Sequence, residues 1–385
     1  MDLKTDLIRL FHRHKMAVSA ALITVFIFCA VYACSGVRYL IRLHDISNQT
    51  PAYSTERLYY NHLNARQQLL YDAIYRAAQN GDQKTQTLLY RYTQEEYATV
   101  MSYLTADCPS LFYLNSAACS LRNGWNSAGV QLSYYAEPSV LADMQSRFET
   151  TVSDIIAQIG TYSTETAYAE AIHDYLILHC TVSESGGIAD TAYGAIVEGS
   201  ATGMGYAQAF KTLTNACGLY CVTVYGAENG RDLAWNLIYT DGHFYHTDVS
   251  FDDPDWTEPV LFHGFFGIGD EQVAVSRTVR YPDVLPVANT DSTYYAQNGL
   301  EADSVSEMRE ILIEQLLKAA KNDGHFIELR ITFSNDIRLF EDVIGEALQQ
   351  ANRLDANAAL RDSFRIFTST DANGAATIEI FYYDH

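Results

Sequence analysis

Acyl transfer by a thiol needs three groups held together: a nucleophilic sulfur, an imidazole that takes its proton, and a carboxylate or amide that orients the ring. The sulfur works best at a helix N-terminus, where the helix dipole and the imidazolium both favour the thiolate. One stretch of the chain has the frame for this. Gly199, Gly203 and Gly205 form a pliable loop before the run Tyr206–Phe210, and the pattern carries that helix to about Ala216. Strands are predicted at Tyr220–Tyr225, Leu233–Tyr239 and His243–Ser250, the last running into an acidic turn, 251–255. The reactive groups themselves are misplaced. Cys217 lies fourteen positions beyond Gly203, which along a helix is roughly 21 Å from its start. Cys221 belongs to the next strand. His243 and His246 share a strand with Asp248, and His246 shares its face by two-residue alternation. Ser200 puts a hydroxyl near the helix start but has no evident base.

Two further groups invite a chemical reading and have a plainer one. His173 and Asp174 lie in a predicted helix, Ser163–Cys180, whose apolar stripe is Tyr168, Ile172, Tyr175 and Leu176; a histidine there reads as a packing or capping group. Asp252, Asp253 and Asp255 supply clustered oxygens of the kind calcium takes, but they read first as a solvated turn. There is no C-x-x-C pair and no Cys/His cluster with zinc spacing, so neither metal nor cofactor is expected.

The segments Glu198–Phe210 (EGSATGMGYAQAF) and Arg231–Pro254 (RDLAWNLIYTDGHFYHTDVSFDDP) together resemble the core of bacterial transglutaminase-like proteins. In that family the corresponding motifs read roughly G-x-x-x-C-x-G-Y-A at a helix start, H-A-W-N on a strand, and W-Y-x-x-D-x-[ST]-W-D-D-P. The resemblance implies an α+β, papain-like core, a helix packed on an antiparallel sheet, with a Cys–His–Asp triad. Asp248 matches the carboxylate. Gly203 stands where the family has its cysteine and Leu233 where it has its histidine. Gly205-Tyr206-Ala207, Ala234-Trp235-Asn236 and Asp252-Asp253-Pro254 hold this register from both sides, and slipping it by one residue brings only Asp232 or Ala234 to the base position.

Serine-protease triads that lose one member keep only about 10³–10⁴-fold of acceleration over water, and here both proton-transfer partners are missing. The expected function is a non-catalytic module that binds peptide, cell wall or an envelope protein. Met204, Tyr206, Trp235 and Asn236 are the candidate cleft residues, with core packing the competing reading for the aromatics. An active thiol-type protease or protein-glutamine acyltransferase using other residues, and a structural spacer of the cell envelope, are the alternatives.

The elements that must position this frame follow from pattern. Leu58, Leu63, Leu69, Leu70 and Ile74 recur near helical spacing, and a Thr93-x-x-Glu96 capping box opens a helix at Gln94–Leu104. Within this region Gln68–Ile74 and Pro109–Tyr113 resemble segments of the small domain that precedes the core in such bacterial proteins. Pro138–Ile159 is the next predicted helix. After the PDVLP exit the pattern predicts a helix over 304–321, a strand over 326–333 and a helix over 336–354. Strands over 363–369 and 376–383 follow, joined across an Asn373-Gly374 turn.

At 385 residues, 48% hydrophobic, the chain has enough apolar surface for two or three folded units. Its net charge of -22 excludes nucleic acid as a partner, because nothing would neutralise the phosphates. Met16–Val37 has no charged residue and as a helix would span roughly 30 Å, enough for the hydrocarbon core. Lys4, Arg9, Arg13 and Lys15 before it, against Arg38 and Arg42 after it, favour an inside N-terminus. A cleaved signal peptide and lipid attachment at Cys34 are the competing readings.

The expected organisation is a cytoplasmic segment (1–15), a transmembrane anchor (16–37), a linker (38–54), a mainly helical domain (55–137), the transglutaminase-like core (138–285) and a C-terminal α/β domain (286–385). The bulk of the chain would lie outside the cell membrane. Cys108, Cys119, Cys180, Cys217 and Cys221 lie beyond the anchor. A Cys108–Cys119 disulfide and buried thiols are both open.

Overall fold

The computed structural model describes residues 23–26, 57–253, 261–288, 293–321, 326–355, 364–370 and 375–382. The expected anchor lies outside them except for Ile23–Phe26. Among the described residues no helix is long and apolar enough to cross a membrane. Two compact units emerge from the chain contacts. One comprises Tyr60–Ser102 with Cys119–Leu132; the other comprises Thr55–Tyr59, Tyr103–Ala118 and Ser133–His385.

The first unit is built on α1 (Ala65–Gln79), whose start is closed by a capping box in which Asn64 accepts from the Gln67 backbone and Gln67 accepts from that of Asn64. Strand β1 (Leu88–Leu89) follows. Helix α2 (Gln94–Asp107) begins as the sequence predicts: Glu96 accepts from Thr93 N at 2.7 Å and Thr93 Oγ1 from Glu96 N at 3.0 Å. Strands β2 (Ser120–Asn123) and β3 (Ser127–Gln131) form an antiparallel hairpin, and β1 pairs with β3, giving the order β1-β3-β2.

The second unit carries the segments around Gly203, Leu233 and Asp248. Helices α3 (Pro138–Ile159), α4 (Glu165–His179) and α5 (Gly203–Ala216) precede strands β4 (Tyr220–Glu228), β5 (Arg231–Thr240) and β6 (His243–Thr247). Two three-residue strands that pattern did not reveal, β7 (Phe266–Ile268) and β8 (Arg277–Val279), complete an antiparallel sheet in the order β8-β4-β5-β6-β7. Asn236 ties the sheet to α5, its Nδ2 donating to Ala207 O at 2.9 Å. Lys211 of α5 is buried, and its ammonium donates to Ala106 O (2.6 Å) and Asp107 O (3.2 Å) at the carbonyl end of α2. A cation suits that helix end.

The C-terminal part adds β9 (Glu301–Ala302), α6 (Val305–Lys321), β10 (Phe326–Ile331), α7 (Ile337–Leu354), β11 (Phe364–Thr370) and β12 (Ala376–Tyr382). The sheet runs β9-β10-β12-β11. Met308, Leu312 and Leu316 of α6 and Phe340, Ile344 and Leu348 of α7, each three or four residues apart, bury one stripe per helix against Leu329 and Ile378. The Asn-Gly turn lies outside the described residues. Mixed helix and antiparallel sheet is the α+β class expected. Residues expected in three separate exported segments share the second unit, because hydrogen bonds such as those of Lys211 and the cluster described below join them. Cys108, Cys119, Cys180 and Cys221 are buried thiols and Cys217 is half-buried, so the thiol reading holds and the Cys108–Cys119 disulfide does not form.

Gly205 lets the start of α5 approach the preceding loop. A β-carbon there would lie 2.1 Å from Ala189 O and 2.8 Å from the Ala201 β-carbon. Gly205→Ala is expected to cost about 3 kcal/mol or more through overpacking, measured as a lower urea midpoint with an unchanged slope. A midpoint within error of the parent would contradict this account of the helix start.

Candidate functional site

The fold sets Gly203 beside Ser250, which is bound to Asp248, and near the strand that carries Leu233. Gly203 is the first residue of α5, and a β-carbon built on it would lie 3.1 Å from Ser250 Oγ and 4.0 Å from Ala234 O, the residue after Leu233. Ser250 Oγ in turn donates to Asp248 Oδ1 at 2.7 Å, and the same oxygen accepts from the Ser250 and Phe251 amides at 3.2 and 3.3 Å. The site therefore has a hydroxyl where the family's sulfur would point, beside the retained carboxylate.

The other oxygen of Asp248 is occupied by a residue no motif announced. Arg277 Nη1 donates to Asp248 Oδ2 at 2.7 Å, and both side chains are almost wholly buried. Strand β8, paired to β4 with Arg277 opposite Glu228, puts it there. Its guanidinium carbon lies 4.1 Å from the Phe251 ring centroid, 4.3 Å from Phe265 and 5.2 Å from Trp235. Among the described residues Nε and Nη2 have no hydrogen-bond partner, and aromatic faces stand in for acceptors around most of this cation. Where a triad would present an imidazole to its carboxylate, this chain presents a guanidinium, and a guanidinium stays protonated.

The remaining sequence candidates divide sharply. Trp235 is 1% exposed and its Nε1 donates to His246 Nδ1 at 3.0 Å. Tyr206, equally buried, donates its phenol hydrogen to Asp253, and Asn236 is buried against α5. These three expected cleft residues are core residues, and only Met204 of the four is partly exposed. The aromatics and the amide are held inward by polar partners that the core itself supplies. His246 uses both ring nitrogens, on Trp235 and on Asp270 Oδ1 at 2.8 Å.

No described cysteine is poised as a thiolate. Burial raises the Cys180 thiol to about 11, although a hydrogen bond with Tyr206 opposes it, and raises Cys221 to about 12. Burial also raises the Cys217 thiol, whose hydrogen-bond partner is Tyr168. Ser200 pairs in a two-residue strand with Thr181. A cavity of about 10 Å³ beside Ala169, Thr247, Phe266 and Tyr294 has room for about one water, and so is no ligand pocket.

A second polar cluster lies in the same unit, and here one sequence expectation fails. Asp252, expected in a solvated turn, is 1% exposed. It accepts from His173 Nε2 at 3.2 Å and from the Phe265 amide at 2.9 and 3.1 Å. His173 is fully buried; its Nδ1 lies 3.0 Å from Asp174 Oδ1. His263 Nε2 reaches the same Asp174 oxygen at 3.0 Å, while its Nδ1 lies 2.5 Å from Glu328 Oε1. Glu328 is further held by the His263 amide (3.1 Å) and Tyr295 Oη (2.9 Å).

Burial alone would raise Asp174, but hydrogen bonds from His173 and His263 outweigh it and bring it down to about 2. Burial would lower His263, and its bonds to Asp174 and Glu328 instead raise it to about 10. Burial lifts Asp252 to about 6 against the pull of His173. The ring nitrogens of His173 and His263 and an oxygen of Asp174 all lie within 4.8 Å of one another, close enough to share a cation. His173 is buried in its helix and holds two carboxylates, whereas His263 and Glu328 were invisible from spacing alone.

No family model matches the chain, and no curated protein matches it. Two solved structures are similar at low levels. One is described as a TGase, with 13% identity and a TM-score of 0.26, covering 45% of this chain and 52% of that one. The other is a candidate protease from Parabacteroides distasonis, with 7% identity and a TM-score of 0.25, covering 69% of this chain and 62% of that one. The chain thus spans about half the length of the first and under two-thirds of the second. Their names agree with the motif resemblance, and likeness this distant carries no argument about chemistry.

Two outcomes follow from these contacts. Arg277→Met leaves the buried Asp248 charge without its partner and is expected to cost about 3–5 kcal/mol, read by urea unfolding. Arg277→Met combined with Asp248→Asn costs less, and a single variant no less stable than the double would contradict the pairing. Glu379 lies directly across the sheet from Glu328, and burial together with Glu328 and Asp252 raises it to about 7. A carboxyl raised in this way favours the folded state most below its ordinary value, near 4.5. That contribution is lost as pH climbs to about 7. Glu379→Gln should therefore gain on the parent across this window, by on the order of 2 kcal/mol at pH 8. A pH-independent difference would show that Glu379 does not feel Glu328.

Proposed function

We propose that this chain is a membrane-tethered, outward-facing protein with a transglutaminase-like core that no longer performs acyl transfer and instead binds a peptide, cell-wall or envelope-protein ligand. The observation that carries the non-catalytic reading is the occupation of Asp248: Ser250 on one oxygen, Arg277 on the other, and Gly203 where a thiol would stand. Among the described residues the Ser250 hydroxyl is set directly on a carboxylate, with no imidazole between them to carry its proton. The guanidinium beside it does not relay a proton. Support for binding rather than spacing comes from the surface at the helix start, where Gly203, Met204 and Leu233 stay partly exposed and Phe251, which covers Arg277, is exposed. The tether rests on the uncharged run Met16–Val37 and its flanking cations.

Purified protein is expected to incorporate no amine into glutamine peptides and to hydrolyse no peptide. Turnover that copurifies with the chain and vanishes in Ser250→Ala or Ser200→Ala would put a nucleophile back into the frame and overturn the reading. Crosslinking in the native membrane then identifies what the exposed face touches.

A further inference from the structure

We propose that His173 Nδ1, His263 Nε2 and Asp174 Oδ1, which already lie together, form a site for one divalent cation of the zinc class, with Glu170 turning in from the same helix face as fourth ligand. It is independent of whether the core is catalytic. Two of these residues, His173 and Asp174, come from α4, and His263 lies 89 positions beyond Asp174.

Three features set the cluster apart from an ordinary buried ion pair. Both imidazoles turn one nitrogen to a single carboxylate oxygen, each at 3.0 Å. A cation about 2.1 Å from every ligand atom places those atoms roughly 3.4 Å apart in a tetrahedron; the two separations to Asp174 are 3.0 Å and all three lie within 4.8 Å, so the side chains need only turn to aim at one point between them. The far nitrogen of each ring rests on its own buried carboxylate, Asp252 for His173 and Glu328 for His263. Those carboxylates are themselves fixed, by the Phe265 amide and by Tyr295 Oη. This outer layer orients metal-binding histidines and leaves their inner nitrogens with a lone pair facing the cation.

The third feature is Glu170. It precedes His173 by three residues and Asp174 by four, so it shares their face of α4. Its half-buried carboxylate has no hydrogen-bond donor among the described residues, yet it is near enough to His263 and His173 to feel their charge. Asp174, a quarter exposed, gives the cation a way in.

The donor set selects the ion. Two imidazoles and two carboxylates suit zinc and its transition-metal neighbours, whereas calcium and magnesium favour all-oxygen shells. A cation between the two inner nitrogens and Asp174 displaces the protons shared there, and these leave to solvent. With four protein ligands the site is closed, and its role is to clamp α4 to the segment before β7.

The test uses tag-free full-length protein stripped with a chelator, titrated with zinc against a chromophoric competitor, and with cobalt for its visible ligand-field bands. The parent is expected to bind one zinc ion with proton release and to give the intense cobalt spectrum of a tetrahedral nitrogen-containing site. Asp174→Asn should weaken binding by about a hundredfold and Glu170→Gln by about tenfold, with far-ultraviolet dichroism unchanged. Both positions are partly exposed, so the variants test binding without emptying the core. Absence of stoichiometric zinc binding by the parent would overturn the proposal. So would equal affinities in the parent and Asp174→Asn, which would place the metal elsewhere.

Discussion

A carboxylate withdrawn from water must find donors or a countercharge, and the second unit is organised around meeting that demand twice. At Asp248 the demand is met by a hydroxyl, two amides and a guanidinium. Around Asp174, Asp252 and Glu328 it is met by two imidazoles, a phenol and two backbone amides. Isolated charges in such places would cost several kcal/mol each. The partners fix where α4, α5, β6 and β8 can lie.

The identity of the partner decides what the first arrangement can do. An imidazole beside Asp248 would be oriented by it and could shuttle a proton. Arg277 is oriented by the same oxygen, and a guanidinium is a hydrogen-bond donor with no acceptor for a proton in transit. The carboxylate is instead held in an ion pair, with the guanidinium packed against Phe251 and Phe265. A side chain at Gly203 would point at Ser250, whose hydroxyl is already committed to Asp248.

Sequence pattern revealed most where a local rule operates within a few residues. The capping box at Thr93 and Glu96, Pro138 at a helix start, and the helix expected over 336–354 all appear where they were expected. The helix after the glycine loop and the strands around Leu233 and His243 were also legible, because local pattern places them. Arg277, His263 and Glu328 were not. Each acts on a partner far along the chain, and each arrives on a short strand or loop with no periodicity to announce it. The cleft failed for a different reason: Trp235 and Tyr206 are the right residues for either a wall or a core, and only their inward hydrogen bonds decide. Asp252 looked solvated because a run of acidic residues usually is; a histidine 79 positions earlier makes it a core residue.

That same histidine network runs across the PDVLP segment, where the sequence pattern put the exit from the core. Asp174 comes from α4, Asp252 from the turn after β6, His263 from the segment before β7, and Glu328 from β10 of the C-terminal sheet. Hydrogen bonds run from one to the next without a break, so each group depends on the one beyond it. Removing β10 would leave His263 with a nitrogen facing no acceptor, and the loss would pass through Asp174 to His173. Four stretches of chain, each unremarkable alone, are therefore held by one set of buried charges. The core and the C-terminal sheet share their stability through Glu328 rather than meeting only at an apolar face.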